Sequence, residues 1–281
     1  MPTTYAHWYF GNECIDVLPD DLKDIVNNNR EFFNTGTNGP DVFFYNLLDS
    51  KTAKFGHDMH KESPRSFFMN AIKVYKENDN NKDEMMSYLL GFLTHYVLDS
   101  QTHSYIERKK EVSNISHNKV EAEYDGHLMR KQGLKVKEVN RSEPITAKHE
   151  NTQIISRFYP LDEESIYKAF KWHKFIINFF NCKTPIKYNF LIKTGNKILS
   201  EANKDLPIKF EEDEICKDSN LRLDKLKEKA LVIYKELVTN FIDALNNGKE
   251  LDAYFDHNFN QWDNYKDIKI LSYEDELNYK I

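Results

Sequence analysis

One segment of the sequence combines the most apolar stretch of the chain with a regular series of potential metal ligands. His95, Asp99 and His103 recur at every fourth residue, and side chains four residues apart on an α-helix project from the same face. They lie in or directly after the apolar run 85–98, where a buried imidazole or carboxylate needs a compensating partner. The pattern therefore predicts a buried helix that carries ligands for metal ions.

A second pair of the same kind follows a short turn later. His117 and Glu121 are again four residues apart, and they follow Ser116, a residue type that favours the start of a helix. A lone histidine on an apolar face is usually a core residue. Five ligand-type side chains within 27 residues instead predict two helices that face each other across a metal site.

The rest of the chain predicts an all-α fold, a multi-helix bundle whose metal site is formed by helices of the N-terminal half. Glycine and proline number only nine and eight, and alternating strand patterns are scarce. We expect a single domain over 1–281, with the metal site within 1–125, a polar surface loop over 134–158, and helices in 159–281 that complete the bundle.

Individual helices can be placed from capping residues and apolar spacing. Helices are predicted to start near Thr4 and after Ser63-Pro64. Further helices are predicted over Pro19 to Ile25, 82–110, 116–133, 162–181, 187–202 and 220–247. Between them, the turn residues of 34–41 predict an exposed loop that presents Asp41 to a cleft.

Composition excludes several classes of protein. The formal net charge of −6 argues against a dedicated nucleic-acid binder. No apolar run approaches the roughly 20 residues of a transmembrane helix, and no signal peptide is evident, so a cytoplasmic location is expected. Cys14, Cys182 and Cys216 are far apart and form no Cys-x-x-Cys pair, which predicts reduced thiols and a metal held by nitrogen and oxygen.

Imidazole and carboxylate donors without thiolate suit Zn²⁺ in a catalytic site with an open water position, although manganese or iron would accept the same donors. Asp99 lies between His95 and His103, so its two oxygens could bridge two ions. With His7, Asp41 and the segment Gly56-His57-Asp-Met-His60, the order of these residues resembles the zinc-dependent phospholipase C family, which is related to the single-strand-specific zinc nucleases.

The resemblance implies two or three Zn²⁺ ions at one end of a helical bundle. The implied ligands fall into three groups: Asp41, His95 and Asp99 with His60, for which His57 is the alternative; His103, His117 and Glu121; and His7 with the shared Asp99. In secreted members a processed N-terminal tryptophan completes the third group, whereas His7 here follows Met1-Pro-Thr-Thr-Tyr-Ala. The amine of Pro2 is the candidate substitute.

The implied activity is hydrolysis of the glycerol–phosphate bond of a phospholipid, or of a related soluble phosphodiester, by a metal-activated water. Asp41 is the candidate to orient or deprotonate that water, with a pure ligand or a helix cap as its alternative roles. Peripheral membrane contact is compatible with this activity, and no stable nucleic-acid partner is expected.

Three other functions remain open from the sequence. The same metal architecture would suit a single-strand-specific zinc nuclease, which should expose aromatic side chains beside basic ones. His57-Asp58 is the dipeptide of a helical metal phosphohydrolase, but that reading leaves the His103, His117 and Glu121 group unexplained. A non-catalytic helical module with structural metal is the third. Asp125 is either a partner of a ligand histidine or a solvated helix acid.

Overall fold

The computed structural model describes residues 4–46, 49–198, 205–260 and 264–281, and these contain α-helices and short 3₁₀ helices but no strand. The α-helices are α1 (Thr4–Asp16), α2 (Asp20–Asn28), α3 (Arg30–Gly36), α4 (Ser50–Lys61), α5 (Arg65–Glu77), α6 (Lys82–Ser113), α7 (His117–Lys131), α8 (His149–Ile155), α9 (Glu163–Phe180), α10 (Pro185–Ile198), α11 (Lys217–Asn247) and α12 (Tyr273–Asn278). The prediction of an all-α fold is confirmed.

Helix α6 is the central element of the bundle. Every side chain from Met85 to Ser100 is buried, as is typical of a helix that is apolar all round. Helices α1, α3, α5, α7 and α11 pack against it. The first two residues of the predicted metal-binding series, His95 and Asp99, therefore lie in the middle of the core.

Helices α3 and α6 cross at two glycines. A Cβ atom at Gly36 would lie 2.3 Å from the carbonyl oxygen of Tyr88, and one at Gly91 would lie 2.2 Å from that of Phe33. This close crossing holds the 3₁₀ helix Gly39–Phe43 against the core, and its residues are buried. The prediction of an exposed loop over 34–41 is wrong, because the small residues there permit backbone contact rather than a solvated turn.

The prediction of a surface loop over 134–158 is also wrong. This stretch contains the 3₁₀ helix Val136–Glu138, then α8, then the 3₁₀ helix Ser156–Phe158. Ile155 and Phe158 enter the main core. The buried guanidinium of Arg141 donates a hydrogen bond to the carbonyl oxygen of Phe180. Polar residues in this stretch are thus satisfied by tertiary partners that local sequence does not reveal.

Most predicted helix boundaries agree with the structure within a few residues. Ser116 caps α7 by accepting a hydrogen bond from the backbone N–H of Lys119. The final residues of the predicted helix 187–202 lie outside the described residues, and α3, α4 and α12 were not predicted. The largest buried apolar cluster draws on residues from Phe10 to Phe259, while the single-domain assignment stays a prediction. Among the described helices, none is long and apolar enough to cross a membrane.

Candidate metal centre

The structure brings the eight predicted metal ligands together from five elements. They are His7 on α1, Asp41 on the 3₁₀ helix, His60 in the last turn of α4, His95, Asp99 and His103 on α6, and His117 and Glu121 on α7. Seven of them are buried, and His117 is partly buried. The ligands are spread over 115 residues, from His7 to Glu121, so tertiary packing and not local spacing alone brings them together.

Asp99 lies between two sets of imidazoles. Its Oδ2 atom is 3.1 Å from Nε2 of His95 and 3.6 Å from Nε2 of His60. Its Oδ1 atom is 3.2 Å from Nε2 of His7 and 3.3 Å from Nε2 of His103. Each carboxylate oxygen therefore faces a different pair of donors, which is the arrangement expected of a bridging ligand.

The donors form three groups, within each of which one atom of every residue lies within 4.8 Å of the others. The groups are His7, His95 and Asp99; Asp41, His60 and His95; and His103, His117 and Glu121. They are adjacent, since Nε2 of His103 is 3.3 Å from Asp99 and 3.4 Å from Glu121. His95 belongs to the first two of these groups, whereas the resemblance implies only Asp99 beside His7, and the assignment of ligands to individual ions stays a prediction.

His60, and not His57, faces the cluster. Nε2 of His60 lies 2.9 Å from Oδ1 of Asp41, and the His60 side chain is only 4% exposed. His57 is exposed, with its ring stacked on Phe44 at a centroid distance of 4.3 Å. Thr52 and Gly56 are buried on the same face of α4 as His60, so this face of α4 is turned toward the core.

Three of the histidines are oriented through their second ring nitrogen. Nδ1 of His95 lies 3.2 Å from the carbonyl oxygen of Thr37, and Nδ1 of His60 lies 3.2 Å from that of Gly56. Nδ1 of His117 lies 2.6 Å from a carboxylate oxygen of Glu107. A proton donated through Nδ1 leaves Nε2 as a lone-pair donor directed at the cluster, as metal-binding histidines require.

The carboxylates of the cluster are held in the ionised form. Burial alone would raise the pKa of Asp99, but the neighbouring imidazoles of His103 and His95 keep it well below its ordinary value. Burial would likewise raise the pKa of Glu121, and His117 lowers it. In return, Glu121 raises the pKa of His117 to about 9 despite burial. Three ionised carboxylates thus lie among imidazoles in the core, and a bound cation would balance their charge.

The donor set fits zinc by its chemistry and by its unsatisfied atoms. Nε2 atoms of His60, His95 and His103 are buried without a hydrogen bond of acceptable geometry to the part of the chain that the structure describes. Buried polar atoms are otherwise nearly always satisfied, and imidazole nitrogens with carboxylate oxygens are ordinary Zn²⁺ ligands. A cavity of about 20 Å³ beside His7 and Asp99 has room for one water.

One supporting residue, Glu107, was not identified from the sequence, and another, Asp125, has a role that differs from both of those expected of it. Glu107 orients His117, and its signal was its position four residues after His103 on the same helix face. Asp125 is buried and accepts hydrogen bonds from the backbone N–H groups of Ala6 and Tyr5, while burial raises its pKa to about 7. It anchors the start of α1 and hence His7, so it is neither a solvated acid nor a direct partner of a histidine.

The fold and the cluster together define a class: an all-α protein whose buried imidazole and carboxylate groups could hold metal ions. The family profile of zinc-dependent phospholipase C matches residues 6–181, a span that includes every residue of the cluster. The chain therefore belongs to the zinc-dependent phospholipase C family. Comparisons with curated proteins and with solved structures find no match.

Proposed function

We propose that the chain is a zinc-dependent phosphodiester hydrolase that cleaves the glycerol–phosphate bond of a phospholipid. The observation that carries the proposal is the placement of Asp99 between His60 and His95 on one side and His7 and His103 on the other. Family membership supports the hydrolase class and zinc as the metal. The substrate, the reaction and the cytoplasmic location are proposals.

The proposed ligand groups follow the geometry of the cluster. They are Asp41, His60, His95 and Oδ2 of Asp99; His103, His117 and Glu121; and His7 with Oδ1 of Asp99. The first two groups offer three or more protein donors each. The third offers two, and completion by the amine of Pro2 stays a prediction because residues 1–3 lie outside the described residues. Two or three Zn²⁺ ions are therefore proposed.

Bound zinc lowers the pKa of a coordinated water to about 7 and neutralises charge that develops on phosphate oxygens. Asp41 is the proposed residue that orients the attacking water. Burial alone would raise the pKa of Asp41, whereas the hydrogen bond with His60 and the neighbouring imidazole of His95 lower it. Its carboxylate is therefore ionised and able to accept a hydrogen bond from that water.

The activity is tested with protein purified without chelator, by phosphorus NMR of a short-chain phosphatidylcholine and by gel assay of a single-stranded oligonucleotide. We expect phosphocholine and diacylglycerol as products, loss of activity with EDTA, and recovery with Zn²⁺. Cleavage of the oligonucleotide without hydrolysis of the lipid would replace the proposal with the nuclease alternative. Bound zinc without either activity would favour the non-catalytic module.

Replacing Gly39 with alanine should disrupt the first ligand group. Gly39 has a φ of +49°, and a Cβ atom there would lie 2.2 Å from the ring of His95. We expect a loss of about 3 kcal/mol or more in the free energy of unfolding, from left-handed strain and steric overlap, together with lost zinc. The control is Gly248→Ala, since Gly248 has a φ of +70° in open space. Equal effects of the two substitutions in denaturant melts would contradict this account.

Replacing Glu107 with alanine should weaken metal binding without touching a proposed ligand. The ring of His117 would lose its hydrogen-bonded partner, and loss of such a support typically costs about 10–100-fold in metal affinity. Competition titration with a zinc chelator measures the change. The control is Glu111→Ala, one turn further along α6, where the carboxylate contacts Arg108 and Tyr265. Unchanged affinity in the Glu107 variant would remove this role.

A further inference from the structure

The outer surface of α9 and the start of α10 carry exposed, large apolar side chains. Phe175 is 56% exposed, Phe179 42%, Ile186 83% and Phe190 60%. On α9, the ring of the partly buried Trp172 lies 5.6 Å from that of Phe175, which lies 6.5 Å from that of Phe179. These three residues, together with Ile186 and Phe190 after the short connection to α10, are called the α9–α10 patch. Large apolar side chains that cluster on a surface mark an interaction site more often than single ones do.

The patch lies in the most basic part of the sequence. Residues 165–198 contain seven lysines and no aspartate or glutamate, although the whole chain has a net charge of −6. Lys168 and Lys171 are exposed on α9, and Lys168 is paired with Glu164 of the first turn at 3.3 Å. Nζ of Lys187 lies 5.9 Å from the ring centre of Phe179. Apolar side chains surrounded by lysine suit a surface with an apolar interior and anionic headgroups.

Helix α9 connects this patch to the proposed active site. Its inner face packs on the 3₁₀ helix that carries Asp41 and on α4, which carries His60. The buried ring of His173 on that face lies 5.6 Å from the ring of Tyr45. The metal centre and the patch are thus on opposite faces of one helix.

We propose that the α9–α10 patch docks the protein on an anionic phospholipid bilayer, an inference that rests on the proposed function because the substrate proposed there is a phospholipid. A second copy of the chain is a poorer occupant, because a symmetric contact would place the lysines of both copies against each other. Exposed aromatic rings beside lysines would also suit single-stranded nucleic acid. The bilayer is favoured because Ile186, the most exposed side chain of the patch, is aliphatic and gains from burial in a bilayer interface but not from base stacking.

Vesicle cosedimentation tests the apolar part of the patch. Wild-type protein is mixed with vesicles of phosphatidylcholine, with or without about one-third phosphatidylserine. The double variant Phe175→Ser/Phe179→Ser should partition at least about tenfold more weakly, since both rings would leave the bilayer interface. The control is Val232→Ser, whose side chain on α11 is 62% exposed, and it should partition like the wild type.

The contribution of the lysines to vesicle binding is tested with the double variant Lys168→Gln/Lys171→Gln. This variant should lose the additional binding that phosphatidylserine confers, so that it binds both kinds of vesicle as weakly as the wild type binds neutral ones. Its control is Lys229→Gln/Lys235→Gln, which removes two exposed lysines from α11. An equal loss in the control would mean that net charge, and not the patch, governs binding, and would overturn the proposal.

Further measurements separate failure of this inference from failure of the proposed function. Hydrolysis of monomeric short-chain phosphatidylcholine without vesicle binding would overturn the docking surface and leave the proposed function standing. Patch-dependent vesicle binding without any lipid hydrolysis would support the surface and contradict the proposed function. If the wild type does not bind vesicles, two results would assign the patch to another partner. One is concentration-dependent dimers in analytical ultracentrifugation, and the other is oligonucleotide binding, in each case lost in the Phe175→Ser/Phe179→Ser variant.

Discussion

Replacing Asp99 with asparagine is expected to abolish turnover and to remove most of the bound zinc. The substitution keeps the volume of the buried side chain but replaces a bridging carboxylate with a neutral amide that presents one oxygen. The asparagine cannot offer a carboxylate oxygen both to the group that contains His95 and to the group that contains His7. We expect at least about a 1000-fold fall in turnover, measured with short-chain phosphatidylcholine, and zinc content reduced to at most one ion by mass spectrometry.

The matched control for this substitution is Asp79→Asn. The side chain of Asp79 is 97% exposed, and its nearest charged partner is Lys82 at 3.4 Å, so the same chemical change occurs in solvent. Zinc content and turnover should equal those of the wild type. Full activity of the Asp99 variant with two or more zinc ions bound would refute the bridging role of Asp99 and the mechanism that depends on it.

The part of the site that could be predicted from sequence alone is the part that lies on single helices. The spacing of four between His95, Asp99 and His103 fixes their common face, because an α-helix advances about 100° per residue. His7 and Asp41 lack such a local signal. They were included only through the resemblance, and their approach to Asp99 depends on how α1 and the 3₁₀ helix pack on α6.

Sequence spacing could not decide whether His57 or His60 faces the metal cluster, and the packing of α4 decides it. The two residues are three apart, so both could point to one side of a helix. Thr52, Gly56 and His60 repeat every fourth residue and form the buried side of α4. A Cβ atom at Gly56 would lie only 2.8 Å from the side chain of Phe43. That small-residue signal was present in the sequence, but its meaning depends on the neighbouring 3₁₀ helix.

Apolar spacing failed to predict helices and buried residues in a stretch that contains few apolar residues. The stretch 134–158 looked like a loop because its apolar residues are sparse. The structure buries Ile145, Ile155 and Phe158 there, and several polar side chains of the stretch bond to partners distant in sequence. Ser142, for example, donates to the side chain of Asn178. Hydrogen bonds of this kind have no local period and are found only from the folded structure.

Removing the metal is expected to lower thermal stability by about 15 °C or more. Each site that binds zinc in the folded state at a thousandfold excess over Kd contributes about 4 kcal/mol. For a chain of 281 residues, 1 kcal/mol corresponds to about 2–4 °C in Tm. Without zinc, the ionised carboxylates of Asp41, Asp99 and Glu121 stay buried with imidazoles as neighbours. Differential scanning fluorimetry with and without EDTA measures this difference without reference to any substrate.

The controls for metal removal follow from the donor chemistry. Zn²⁺ should restore the melting temperature after the chelator is removed, whereas Mg²⁺ and Ca²⁺ should not, because these ions prefer all-oxygen sites and the cluster supplies five imidazoles. The Asp99→Asn variant, which keeps at most one ion, should show a smaller decrease in melting temperature with EDTA than the wild type. A melting temperature of the wild type that EDTA leaves unchanged would contradict zinc as a structural partner of the buried carboxylates.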